Sequence, residues 1–335
     1  MKYKIAFLTN KLTLRGCEVA LYNYAHYNET ILNNESIIIT RDIKKLAGAQ
    51  DVHQEAYDKF NKRFDVFYYE TSDDVETILK AQNCDIVFIE KAGSPNDKLL
   101  FNSCKNIIHS VFTLEEPHGD AYTCLSEWLN KHHYTNYPVI PYMVDIYETN
   151  EDLRNELHIP KDALVFGTYS GAECFNIDYI KQVVRDIKDD NIYFIFMNIT
   201  PFMEENTHVR FLAGTSNMEY KRKFINTCDA MLYGRDGGET FGLACGEFSL
   251  CNKPIIGRAH EHSASHLDIL GDKMIKHNNY EELYAILTNY DKYKIDVNEN
   301  SYKKYTAEYA MKCFKEVCDS LFKYKETMKV YFHGF

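Results

Sequence analysis

The sequence has no C-x-x-C pair, no excess of basic residues, only 7 prolines and a single tryptophan. Each scarcity excludes something. The closest of the ten cysteines, Cys245/Cys251 and Cys313/Cys318, are spaced for neither a zinc ribbon nor a thioredoxin-like motif. They read as reduced, mostly buried small hydrophobes of a cytoplasmic protein. Lys and Arg total 38 against 49 Asp and Glu, a net charge of −11, and the first 150 residues hold 15 basic and 21 acidic residues. No cationic face is expected, so a general nucleic-acid binder is excluded. Strong attraction to anionic lipid is unexpected for the same reason. The longest apolar stretches, Ala163–Tyr169 and Asn191–Met203, fall short of the roughly 20 residues of a membrane span. The apolar run between Lys4 and Lys11 is too short for a signal-peptide core. Membrane association is expected to be peripheral at most. Trp128 and the many Tyr and Phe residues are read as core and surface filler rather than sugar platforms.

What is present is an α/β alternation. A length of 335 residues suggests about two domains, and short apolar runs separated by helical patterns predict parallel sheets with crossover helices. In the first half the expected strands are Lys4–Leu8, Ser36–Thr40, Asp65–Tyr69, Asp85–Glu90 and Asn106–Val111. Helices are expected near Cys17–Tyr27, Asp42–Asn61, Asp73–Gln82 and Ala121–His132. Tyr137-Pro138-Val139-Ile140-Pro141 resists helix at both prolines and marks a domain exit. A polar helical stretch over Glu151–His158 precedes the second half. There, strands are expected at Ala163–Tyr169, Ile192–Met197, Val209–Leu212, Ala230–Tyr233 and Pro254–Ile256, and helices at Asp178–Asp189, Asn217–Thr227, Thr240–Leu250 and Tyr280–Asn289. A last helix, Tyr302–Lys325, carries Tyr305, Tyr309, Phe314, Val317 and Leu321 as one apolar stripe. The expected domains are 1–145, 146–300 and a terminal helix over 301–335 that packs back toward the first.

The segment richest in chemistry runs from Asp229 to Glu247. A strand ends near Tyr233, the turn Gly234-Arg235-Asp236-Gly237-Gly238 follows, and a helix begins near Thr240. A helix amino terminus presents unpaired amides and about half a positive charge, which suits a phosphate. Gly242 lets a ligand approach its backbone. Glu239 stands at the helix mouth, with Glu247 two turns on and broadly on the same side. The plainer reading makes Glu239 a first-turn acid that stabilises its own helix and Glu247 a solvated surface residue.

Glu239-Thr240-Phe241-Gly242-Leu243-Ala244-Cys245-Gly246-Glu247 resembles the E-x7-E signature of retaining GT-B glycosyltransferases, particularly those of family 4. Asn252-Lys253-Pro254-Ile255-Ile256-Gly257 is similar to the strand that follows it in that family. Val139-Ile140-Pro141-Tyr142-Met143-Val144-Asp145 is similar to the family's interdomain "V-I-P-N-G-V-D". Leu153–Asp162 resembles the opening of its second domain, and Leu14-Arg15-Gly16-Cys17-Glu18 the loop after its first strand. The resemblance implies two Rossmann-like parallel-sheet domains facing across a cleft, braced by the C-terminal helix. It implies a UDP- or GDP-sugar donor with no required cofactor or metal, transfer with retention, and a glycan, lipid-linked or protein acceptor. By position, Glu247 binds the donor ribose, Glu239 the transferred sugar, and the Thr240–Leu243 segment with its Phe241, Gly242 and Leu243 amides the pyrophosphate or sugar. Gly16 lines the phosphate side from the first domain, and His109 is the histidine beside the donor sugar. Gly214, in the loop Ala213–Asn217, is a further donor contact.

One departure bears on chemistry. The family's Arg and Lys after the first strand of the second domain are absent from Gly167–Asn176. Charge-assisted contacts contribute about 1.5–3 kcal/mol each, so a diphosphate leaving group needs another cation. Arg235 is the candidate, against an equal claim as an ordinary surface arginine. His118, in Glu115-Glu116-Pro117-His118-Gly119-Asp120, either positions hydroxyl groups or is a plain loop residue with Asp120 as helix cap. His260, His262 and His266 form an H-x-H-x3-H cluster that lacks the cysteines or carboxylates of a metal site, and no metal is expected. Two other functions stay open: a catalytically inactive sugar-nucleotide-binding protein and a GT-B sugar-nucleotide epimerase.

Overall fold

The computed structural model describes residues 2–46, 53–260, 262–295 and 300–323. The chain forms two compact units, residues 1–143 with 305 onward, and residues 144–304.

In the first unit the strands are β1 (Lys4–Leu8), β2 (Glu35–Arg41), β3 (Asp65–Tyr69), β4 (Ile86–Lys91), β5 (Lys105–Ser110) and β6 (Ala121–Cys124). They form one sheet in the order β3-β2-β1-β4-β5-β6, with every neighbouring pair parallel. The helices are α1 (Gly16–Thr30), α2 (Gln54–Arg63), α3 (Ser72–Ala81) and α4 (Glu127–His133). Ile37–Ile39 and Ile86–Ile89 are buried without alternation, as strands covered on both faces must be. The expected helix over 121–132 divides into β6 and α4. Tyr122, Thr123 and Cys124 are buried in β6, while the Ser126 hydroxyl accepts from Leu129 N and starts α4. Asp120 therefore caps no helix; its carboxylate takes the Asn106 amide at 2.8 Å and the Lys105 ammonium at 2.5 Å. Trp128 is half-buried and stacks on His132 rather than joining the core.

The second unit holds β7 (Leu164–Tyr169), α5 (Asp178–Asp186), β8 (Ile192–Met197), β9 (Val209–Leu212), α6 (Met218–Thr227), β10 (Ala230–Leu232), β11 (Gly238–Glu239), α7 (Leu243–Leu250), β12 (Ile255–Arg258), β13 (Ser263–Ala264), α8 (Ser265–Leu270), β14 (Met274–His277), α9 (Tyr280–Thr288) and α10 (Tyr290–Tyr293). Its main sheet is also six-stranded and parallel, in the order β14-β12-β10-β7-β8-β9. β11 and β13 make a separate two-stranded ladder. Phe166, Phe194, Phe196, Ile180 and Leu283 anchor this unit's core; full burial of side chains of this size contributes about 1.5–3 kcal/mol each. Glu151–His158 is a series of turns rather than a helix. The strand β14 has a polar-looking sequence, Met-Ile-Lys-His, and escapes a hydrophobicity reading. The last helix, α11 (Ala307–Ser320), belongs to the first unit and starts later than the expected Tyr302, while positions 324 and 325 of the expected helix lie outside the described residues. Its Phe314 stacks against Phe7 and Tyr24, whereas Tyr309 faces solvent.

Candidate functional site

In open parallel sheets, ligands bind beyond the carboxyl ends of the strands, where the strand order reverses. In the second unit that point lies between β7 and β10, and the Gly234–Glu247 segment leaves β10 there. The turn is pinned on several sides. Gly234 lies so close to Phe175 that a Cβ would meet its ring at 2.4 Å, and its carbonyl accepts from Asn176 N at 2.9 Å. Asp236 accepts the Arg258 guanidinium at 2.8 Å, and its amide donates to the Asn176 side chain at 2.8 Å.

The helix starts three residues later than its sequence suggests. Glu239 lies in β11, paired with Ala264, so Glu239 and Glu247 are not on one helical face. Gly242 is the N-cap of α7 at φ +82°, and a Cβ there would come within 2.8 Å of His266 Cβ. Only glycine adopts this backbone without strain in so close a space. The first amides of α7 have no partner within the helix and carry the positive end of its dipole. Thr240 and Phe241 are buried, so they offer backbone rather than side chains. Tyr302 holds this corner: its hydroxyl donates to the Phe241 carbonyl at 2.8 Å and its ring meets Phe241 edge-on.

Both glutamates are paired with cations. Arg235 Nη1 lies 3.2 Å from each oxygen of the half-buried Glu239. Burial pushes the Glu239 carboxyl up against the opposing pull of Arg235. Glu247 is only 3% exposed, which corrects its reading as a solvated surface residue. Its carboxylate accepts the Lys221 ammonium at 2.9 and 3.3 Å and the Tyr169 hydroxyl. The Lys221 ammonium also lies 4.8 Å from the centre of the Tyr169 ring. Sequence reasoning missed Lys221 and Tyr169. A signal existed: Lys221 precedes the buried Phe224 and Ile225 by three and four residues, which places it on the inward face of α6.

Gly214 packs on Asn198, whose side-chain amide donates to the Ser170 carbonyl at 2.7 Å. The loop after β9 thus abuts the carboxyl end of β7. His266 is fully buried beside Tyr233, and burial lowers its pKa to about 4. His260 and His262 are exposed, so the three histidines do not share one environment. Among the described residues no group of His, Cys, Asp or Glu is arranged to hold a metal ion.

The first unit's candidates are separately placed. Gly16 is the exposed first residue of α1. His109 is 0% exposed, enclosed by Tyr24, Phe88 and Tyr142, and burial pushes its pKa down to about 3. It is a core imidazole rather than a group on an open surface. His118 has both ring nitrogens on backbone: Nδ1 donates to the Glu116 carbonyl at 2.7 Å and Nε2 accepts from Leu99 N at 3.3 Å. This tautomer explains a loop brace. Near Gly16, Glu18 accepts the Thr13 hydroxyl, and Glu90, at the end of β4, lies close enough to feel its charge.

No family model matches the sequence, and no curated protein matches it. Solved structures do match its fold. A glycosyltransferase from Rickettsia africae superposes with a TM-score of 0.67 at 14% identity, covering 96% of this chain and 99% of the other. HepE from Anabaena, in complex with UDP-glucose, gives 0.70 at 13% identity, covering 95% and 100%. A putative UDP-N-acetylglucosamine 2-epimerase from Listeria monocytogenes gives 0.56 at 10%, covering 97% and 98%. The chain has the GT-B fold.

Proposed function

We propose that this protein is a glycosyltransferase that moves a sugar from a nucleoside-diphosphate sugar to an acceptor hydroxyl with retention of anomeric configuration. The observation that supports it most is the placement of the Glu239–Glu247 segment. It leaves the switch point of the second sheet with Gly242 in a left-handed cap and the first amides of α7 behind it. Helix amides hold the diphosphate, Glu239 the transferred sugar and Glu247 the ribose. Arg235, now on Glu239, turns to the phosphates as negative charge develops there. The acceptor oxygen bonds to the anomeric carbon as the carbon–phosphate-oxygen bond breaks, and the departing phosphate oxygen takes the hydroxyl proton. No side-chain base and no metal enter this scheme. The acceptor is a glycan, a lipid-linked sugar or a protein, and the enzyme works in the cytoplasm. No role is assigned to His118, whose ring nitrogens are both engaged by backbone, or to His109, which is packed among aromatic rings.

Calorimetric titration with UDP, GDP and ADP, followed by product analysis with the matching sugars, tests the proposal. Binding of at least one nucleotide and sugar transfer to an added glycan acceptor are expected. The Listeria structure, named as a putative epimerase, favours a second reading, in which donor is isomerised without any acceptor. An altered sugar nucleotide in acceptor-free reactions replaces transfer by that reading. Binding without turnover of either kind marks an inactive sugar-nucleotide-binding protein.

A further inference from the structure

Lys221 is 9% exposed and Glu247 3% exposed, yet they come from different helices 26 residues apart and meet at 2.9 Å. A charged pair withdrawn this far from water gains little net stability over an apolar pair of the same shape. Its geometry, however, is well defined. The ammonium contacts both carboxylate oxygens, Tyr169 donates to Oε2, and the same ammonium rests over the Tyr169 ring. A carboxylate has about four lone-pair positions on its two oxygens. Lys221 and Tyr169 use three of them and leave one on Oε1. Tyr169 ends β7, at the switch point of the sheet, and is enclosed by Phe224 and Phe248, so its hydroxyl has little freedom to turn away.

We propose that Lys221, seconded by Tyr169, is the positioning residue for Glu247, fixing the carboxylate plane so that Oε1 accepts a ribose hydroxyl of the nucleoside diphosphate. The inference rests on the donor-site reading above and extends it to residues outside the Glu239–Glu247 segment. It also states what these residues govern: discrimination between ribose and deoxyribose, rather than the strength of diphosphate binding.

The test compares nucleotide with its own deoxy form in each protein. Full-length wild type and Lys221→Met are titrated with whichever of UDP, GDP or ADP binds wild type, and with its 2′-deoxy and 3′-deoxy counterparts. Wild type is expected to bind the ribonucleotide at least about tenfold more tightly than one of the deoxy forms, as loss of one hydrogen bond to a charged acceptor implies. Lys221→Met is expected to reduce that ratio to about one- to twofold while still binding the deoxy form with near wild-type affinity. A merely structural lysine weakens all three ligands together and leaves the ratio unchanged; that result overturns the proposal. A wild-type ratio near one also overturns it, whereas wild type that binds none of the nucleotides overturns the donor reading itself. If Lys221→Met does not fold or binds too weakly to titrate, Tyr169→Phe decides. It keeps the ring and removes one hydrogen bond, and a narrowed ratio supports the proposal where a full ratio rejects it.

Discussion

Each unit brings two glutamates to the carboxyl ends of its sheet, and the two pairs are stabilised by opposite means. In the second unit, Glu239 and Glu247 each face a cation, Arg235 and Lys221. In the first unit, Glu18 accepts a threonine hydroxyl, and Glu90, across the β1–β4 switch point, lies close enough to feel its charge. Burial pushes Glu90 well above the ordinary carboxylate range, with the Glu18 charge adding to it, and burial raises Glu18 as well. The second pair faces cations, whereas in the first unit burial favours the protonated form of both carboxyls. A buried carboxylate without a cation lowers its cost by taking up a proton. One with a well-placed cation keeps its charge available for a ligand.

The sharpest way to break this comparison is to remove one cation. Lys221→Met leaves a buried carboxylate uncompensated, and a loss of about 3–5 kcal/mol is expected in the urea unfolding of the second unit. The double variant Lys221→Met/Glu247→Leu should recover most of it. A single variant as stable as wild type means that the pair is not a unit. Next in size is Glu239→Gln, which retains shape but removes the charge beside Arg235. Turnover should fall about 10- to 100-fold, the worth of a charged hydrogen bond, with nucleotide affinity nearly unchanged; steady-state kinetics at saturating donor measure it. Tyr302→Phe is smaller still. It removes the hydrogen bond from the Tyr302 hydroxyl to the Phe241 carbonyl, for an expected cost of about 1 kcal/mol and a lower melting temperature.

The last prediction concerns pH and falls on the first unit. Because the Glu90 pKa is raised on folding, the folded chain binds more protons than the unfolded one. That stabilisation is complete in acid and is lost as pH rises through the raised value. His109 has the opposite slope. Burial lowers it from an ordinary 6.5 to about 3, so its contribution is present above 6.5 and lost as pH falls toward 3. Glu90→Gln should therefore raise the melting temperature at pH 8 and change it little at pH 5. An equal change at both values contradicts a protonated Glu90.

Much of the architecture was legible from local pattern. The strands over Lys4–Leu8, Asp65–Tyr69, Ile192–Met197 and Val209–Leu212 agree with expectation residue for residue; for the buried Lys4–Leu8 and Ile192–Met197, continuous apolar runs in covered parallel sheets have no other comfortable place. The strand Ala121–Cys124 falls inside the expected helix over 121–132, since four residues beside a genuine helix carry too little periodicity to separate. The polar stretch 151–158 suggested a helix but forms turns, and its Arg154 side chain instead donates to the Pro160 and Ala163 carbonyls. Of the candidate site, the Glu239–Glu247 spacing could be read directly, but the left-handed φ that Gly242 supplies at the α7 cap could not. The exposure of its members could not. Glu247, taken for a solvated residue or a residue facing the same side as Glu239, is buried; His109, placed beside a sugar by analogy, is enclosed by aromatic rings.

By itself, the sequence determined the alternation of strands and helices, the glycine-bearing exit from β10 and the two glutamates eight residues apart. These depend on propensity and spacing among near neighbours. Only the tertiary structure decided which charge meets which. Tyr169 and Glu247 are 78 residues apart, and Lys221 and Glu247 are 26 apart. Such contacts depend on how whole elements stack, and the energy of a charge is set by the dielectric and partners it finds there.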